Sequence, residues 1–155
     1  MPRDTQRSQV YAAEEAWALR LDAARRGARR AVVAGSALTL PQELRFGSLE
    51  DAQRYAEHHL AGLPPVRLRI RKGQAAAHYS PPDDLALPLP PYGEPWALRE
   101  SVLLHELAHH VAFHTDGTAD HGPSYTACML DLVARVLGEE AAFALRVDYG
   151  SHQVV

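Results

Sequence analysis

His105-Glu106-Leu107-Ala108-His109 is an H-E-x-x-H segment. On an α-helix, residues four apart differ by about 40° around the axis and about 6 Å along it. The two imidazoles therefore project from one face and can share one metal ion. Zinc takes such nitrogens at about 2.0–2.1 Å and favours four ligands. Glu106 follows the first ligand, where a carboxylate can act as general base for a metal-assisted hydrolysis.

Two histidines leave a catalytic zinc one protein ligand short. His110 lies about 100° from His109 around the helix, and His114, nine residues after His105, about 180° from it. Both point elsewhere while the helix lasts. His121 lies beyond a break at Asp116-Gly117, where the chain can fold back, and His121-Gly122-Pro123-Ser124-Tyr125 opens the next helix. It is the preferred third ligand. Glu139 or Glu140 on a later helix, and Asp116 or Asp120 in the loop, remain open as carboxylate ligands. The third and sixth residues after His109 are Ala112 and Thr115, so the longer H-E-x-x-H-x-x-G-x-x-H pattern is absent.

The H-E-x-x-H segment followed by His121-Gly122-Pro123-Ser124-Tyr125 resembles the SprT-like zinc peptidases over about residues 96–137. The resemblance implies a zincin-like fold, zinc on His105, His109 and His121, and Glu106 as the catalytic residue. A second resemblance spans nearly the whole chain. The run Arg3–Glu14, then Leu38-Thr39-Leu40-Pro41, then the H-E-x-x-H helix is similar to a small family of metallohydrolases from actinobacteria and their phages. DNA-repair members of the SprT group carry a zinc ribbon or another DNA-binding appendage. Cys128 is the only cysteine here, so no ribbon can form. An ImmA-type repressor-cleaving peptidase, also built on an H-E-x-x-H helix, is an alternative that would use a downstream carboxylate. A zinc-stabilised binding or regulatory module that hydrolyses nothing is the rival from another class.

The elements that must position these groups follow from periodicity. Val10, Ala13, Trp17, Leu21 and Ala24 recur at helical spacing and predict a helix over 5–29, capped by Asp4. Short strands are expected at 31–34 and 37–40. Ser48 opens a helix to about Ala61, ended by Gly62. Val66–Arg71 alternates apolar and charged residues, as a half-buried strand does. Gln74–Tyr79 can pair back on it. Six prolines between Ser80 and Pro95 allow an extended piece at 85–89 but argue against a central strand, since proline removes ladder donors. If this region is a sheet edge, it would border the cleft and could accept a peptide as an added strand. A long helix is predicted over 96–114, another over 124–137 and a short one over 139–147, with residues 149–155 a loose tail.

The chain has 155 residues, 46% of them apolar and 23% charged, which suits a single globular domain over 1–155. The expected class is α+β and zincin-like: a small twisted, mostly antiparallel sheet on an active-site helix, with further helices around it. Sixteen basic and nineteen acidic residues give a net charge of −3, which argues against nucleic acid as partner. Fifteen of the basic residues are arginines. Arg25, Arg26, Arg29 and Arg30 read as a solvated helix end, and Arg67, Arg69 and Arg71 as a charged sheet face. No apolar run reaches the length of a membrane span and no signal peptide is evident, so a cytoplasmic protein acting on a peptide or protein substrate is expected. Tyr125 reads as a core anchor beneath the metal loop and Cys128 as a buried small apolar residue. His58, His59 and His152 read as surface residues. His78, Tyr79, Arg146 and Tyr149 are each candidates to stabilise an oxyanion.

Overall fold

The computed structural model describes residues 3–71, 76–88 and 98–155. Among them it shows a mixed α+β architecture, with short strands in three small sheets, none closed into a barrel. The chain divides into two compact units. One takes in the described residues up to Glu43 together with Asp120–Val155, and the other Leu44–Ala119.

The first unit starts with α1 (Arg7–Arg25). Its buried residues are Val10, Ala13, Trp17, Leu21 and Ala24, the stripe that the spacing predicts. Full burial of a side chain such as Leu21 contributes roughly 1.5–3 kcal/mol. Trp17 also donates its indole N–H to the Ala141 carbonyl at 3.1 Å, which ties α1 to α5 (Glu139–Ser151). The helix starts later than predicted. Gln6, not Asp4, precedes it, and Asp4 spends its carboxylate elsewhere. Arg25, Arg26, Arg29 and Arg30 are exposed, as a solvated helix end should be.

After α1 comes a two-stranded antiparallel ribbon of β1 (Arg30–Val33) and β2 (Ser36–Thr39). Ala34 and Gly35 make its turn, both at positive φ. The remaining helix is α4 (Pro123–Val136), which packs on α5. Proline suits the first turn of α4, where its missing N–H costs nothing. Helix α5 runs to Ser151, past the predicted end at Val147, because Asp148 and Tyr149 are buried on it. Beyond it, the backbone of Val155 bonds the Gln6 side chain in both directions. Cys128 is half-buried rather than buried.

The second unit contains β3 (Arg45–Phe46), α2 (Leu49–His59), β4 (Arg67–Arg71), β5 (His78–Ser80), β6 (Asp84–Pro88), β7 (Leu98–Arg99) and α3 (Glu100–Asp116). Ser48 caps α2 by accepting the Asp51 N–H. Strands β3 and β7 pair antiparallel. The other three form a sheet in the order β4-β6-β5, in which β6 runs parallel to β4 and antiparallel to β5.

This corrects the expectation for the proline-rich region. The described part of the extended piece, Asp84–Pro88, is the central strand, and His78–Ser80 pairs with it rather than with β4; residues 74, 75 and 89 of the predicted segments lie outside the described residues. The prolines do not prevent this, because Leu85, Ala86 and Leu87 all keep their N–H groups and Pro88 falls on the last residue. These three residues are buried, as a strand covered on both faces requires. The outer edge of β4 is taken by Gln53, which donates to the Val66 carbonyl and accepts from the Leu68 N–H. Arg69 chelates Asp84 at the exposed end.

Helix α3 begins at Glu100 rather than Trp96. Leu98 and Arg99 are spent on β7, and the predicted start at residues 96 and 97 lies outside the described residues. Glu100 fixes that start. Its carboxylate accepts the Leu44 N–H at 2.9 Å and the Tyr55 hydroxyl at 2.6 Å. Gly117, at φ +78°, ends the helix in the left-handed conformation that glycine tolerates best. The helix packs against β5 and β7. It buries Leu103, Leu104, Leu107, Ala108 and Ala112, and with them Glu100, Ser101, His105, Glu106, His109 and His110. A helix buried on so much of its circumference must give each of these polar groups a partner.

Candidate metal centre

His105 and His109 lie one turn apart on α3, with ring centroids 5.0 Å apart. His121 follows the Gly117 turn, just before α4. Nitrogen atoms of these three histidines lie within 4.8 Å of one another, and all three residues are buried. Ligand nitrogens on a tetrahedral zinc with bonds of about 2.05 Å are roughly 3.3 Å apart. The sequence-derived trio is thus brought together, and among the described residues it is the cluster suited to a metal ion.

His121 is fixed from several directions. Its backbone N–H donates to Asp4 Oδ1 at 3.2 Å, and its Nδ1 lies 2.7 Å from Asp4 Oδ2. Its carbonyl accepts from Gln6 Nε2 at 2.7 Å. Its ring stands against Tyr11 at 5.3 Å and Tyr125 at 5.1 Å. A carboxylate only accepts hydrogen bonds, so Nδ1 carries a proton, and in the neutral ring that leaves the lone pair on Nε2. A metal-binding imidazole needs that tautomer. The next turn is also set locally. Asp120 accepts the Gly122 N–H at 2.9 Å, and a Cβ on Gly122 would come within 3.0 Å of the same carboxylate oxygen. Glycine keeps that space open, and Pro123 starts α4.

Tyr125 is fully buried beneath this loop, as expected. Its hydroxyl donates to Glu14 at 2.9 Å, and the Tyr149 hydroxyl donates to the same oxygen at 2.8 Å. Burial, followed by the neighbouring Glu14 charge, pushes the Tyr149 phenol well above its usual range, so it stays a neutral donor.

The other histidines of α3 are occupied, which matches their predicted directions. His110 Nε2 stands 2.7 Å from the Pro64 carbonyl, which can only accept. Burial lowers the His110 pKa, against the opposing pull of that bond. The Tyr79 hydroxyl donates to the Pro82 carbonyl at 2.8 Å, and its oxygen lies 2.9 Å from His110 Nδ1. The Tyr79 phenol is pushed up to about 12, first by burial and then by Asp83. His114 Nε2 reaches the same Pro82 carbonyl at 2.7 Å.

The carboxylate alternatives have other tasks. Glu140 accepts the Thr39 N–H, and Asp116 accepts the Thr118 N–H. Glu139 is exposed. Glu106 is 4% exposed on α3, directly after His105. Of the oxyanion candidates, Tyr79 and Tyr149 are engaged as described, while His78 and Arg146 are exposed.

Sequence reasoning missed Asp4, Gln6 and Tyr11. An Asp-x-x pattern ahead of a helix reads first as a cap, and nothing local marks it as a partner for a residue 117 positions away. No protein-family model matches the chain, and no curated protein or solved structure matches it. Among the described residues, no helix is long and apolar enough to cross a membrane.

Proposed function

We propose that the chain is a zinc-dependent hydrolase of the zincin kind, similar to the SprT-like group, and that it cleaves amide bonds in a peptide or protein. The observation that carries this reading is the buried cluster of His105, His109 and His121 next to Glu106 in the H-E-x-x-H segment. Three imidazoles are a neutral, borderline-soft donor set that suits zinc better than magnesium or calcium. The three donor atoms lie close enough together to share one ion, and Asp4 engages the Nδ1 side of the His121 ring. When bound, the ion would supply a Lewis acid that polarises a carbonyl and acidifies water.

The chain's own residues do the rest. His105, His109 and His121 hold the ion. Glu106 takes a proton from the attacking water and returns it to the departing amine, which a buried carboxylate beside the first ligand is suited to do.

The test is elemental analysis of purified wild type beside His121→Ala. About one zinc per chain in wild type, largely lost in the variant, is the expected result. No zinc in wild type, and no uptake on addition to the folded protein, would overturn the reading. One firmly held zinc without hydrolysis of any peptide in a broad library would point to the non-catalytic module instead.

A further inference from the structure

We infer that Asp4 is a positioning residue for the third metal ligand, making the segment before α1 part of the metal centre. This rests on the zinc reading above and extends it. The Asp4 carboxylate takes both hydrogen-bond donors that His121 presents on one side: the backbone N–H through Oδ1 at 3.2 Å and the ring Nδ1 through Oδ2 at 2.7 Å. One carboxylate thereby fixes the position of the residue and the rotation of its ring. It also selects the tautomer with Nε2 unprotonated.

His121 needs this more than His105 and His109 do. Those two are set by consecutive turns of a buried helix, whose backbone hydrogen bonds fix their directions. His121 sits in the short stretch between Gly117 and the start of α4, with no helix of its own. Its ring orientation must come from side chains. Gln6, two residues after Asp4, holds the His121 carbonyl at 2.7 Å. The same Gln6 amide bonds both backbone groups of Val155. The Thr126 hydroxyl donates to that Val155 carbonyl at 3.0 Å. Asp4 and Gln6 thus grip the N–H, the carbonyl and the ring of one histidine. Carboxylate partners of this kind raise the basicity of the imidazole and typically change metal affinity by about 10–100-fold.

The measurement is zinc affinity by competition with a chromogenic chelator, on wild type, Asp4→Ala, His121→Ala and the double variant. The visible spectrum of the cobalt-loaded proteins is recorded in parallel. Asp4→Ala should weaken zinc by about 10–100-fold and alter the cobalt spectrum. In the His121→Ala background the same change should cost nothing further, because Asp4 acts only through His121. Wild-type zinc affinity in folded Asp4→Ala overturns the inference. So does an equal loss in both backgrounds, which would mean a general structural role. If Asp4→Ala does not fold, Asp4→Asn carries the same cycle. Its amide oxygen can accept one donor but brings no charge, so a smaller loss confined to the His121 background is expected. Failure of wild type to bind zinc defeats the proposed function itself, whereas failure of the cycle alone leaves the three-histidine site standing.

Discussion

Arg20 and Asp148 meet in a two-pronged ion pair, Nε to Oδ2 and Nη2 to Oδ1, both at 2.9 Å. The pair joins α1 to α5 within the first unit. Its side chains are unequally exposed, 31% for Arg20 and 5% for Asp148. The Asp148 bonds raise the Arg20 pKa, yet a guanidinium is charged at any working pH, so the energy lies in geometry rather than titration.

That inequality sets the prediction. Arg20→Met keeps much of the stem's packing but strips a buried carboxylate of its fork, and should cost about 1–3 kcal/mol. Asp148→Asn leaves the partly solvated guanidinium with an acceptor and should cost less. Urea denaturation of the two variants reads the difference directly. A larger loss for Asp148→Asn than for Arg20→Met would show that desolvation of Asp148 is not the deciding cost.

Glu14 takes hydroxyl hydrogen bonds from Tyr125 and Tyr149 on one oxygen, and both phenols are buried. Glu14→Ala deprives two buried donors of this acceptor at once and should destabilise by about 2–4 kcal/mol, whereas Tyr149→Phe removes one donor and should cost about 1 kcal/mol. For a domain of this size each kcal/mol lowers Tm by roughly 2–4 °C. Paired thermal melts in one buffer therefore resolve the two variants. Equal Tm values would mean that the shared acceptor is not what holds the phenols.

The β1–β2 turn offers a gain instead of a loss. Ala34 sits at φ +49° and Gly35 at φ +81°, and the two strands pair from Val33 to Ser36 across this two-residue loop. Hairpin turns with both central residues at positive φ favour Asn-Gly, because alanine meets a steric penalty there. Ala34→Asn should stabilise by about 0.5–1 kcal/mol, and Gly35→Ala should destabilise by about 1 kcal/mol. Chemical denaturation settles both signs. Destabilisation by Ala34→Asn would contradict the turn geometry.

Elements whose stabilising contacts are local could be read from the chain. The stripe from Val10 to Ala24 needs only 3.6-residue periodicity, and it is buried as read. Ser48 caps α2 through a neighbour three residues away, and Gly117 ends α3 where the pattern breaks. The three histidines were legible for the same reason: two share one turn, and the third follows a marked stop. What escaped depends on distant partners. The proline-rich surroundings of β6 argue against a central strand, and in the sequence they outweigh the three unbroken donors at Leu85–Leu87. The start of α3 moved because Leu98 and Arg99 pair with Phe46 and Arg45. Asp4 looked like a cap because local chemistry offers a carboxylate that use, and only the folded chain brings His121 to it.

The proposed chemistry turns on one side chain that holds no metal. Glu106→Gln preserves size, polarity and helix propensity, and removes only the capacity to take a proton. Zinc content should therefore stay near one per chain, while hydrolysis should fall by about 10²–10⁴-fold, the usual contribution of general acid–base catalysis. His109→Ala should lose metal and activity together. Zinc analysis and product formation are measured on the same preparations, using a mixed peptide library screened first with wild type. Loss of zinc in Glu106→Gln would give the carboxylate a structural role at the centre. Full hydrolysis by a zinc-loaded, sequence-verified Glu106→Gln protein would remove Glu106 from the mechanism, because an amide cannot act as the base.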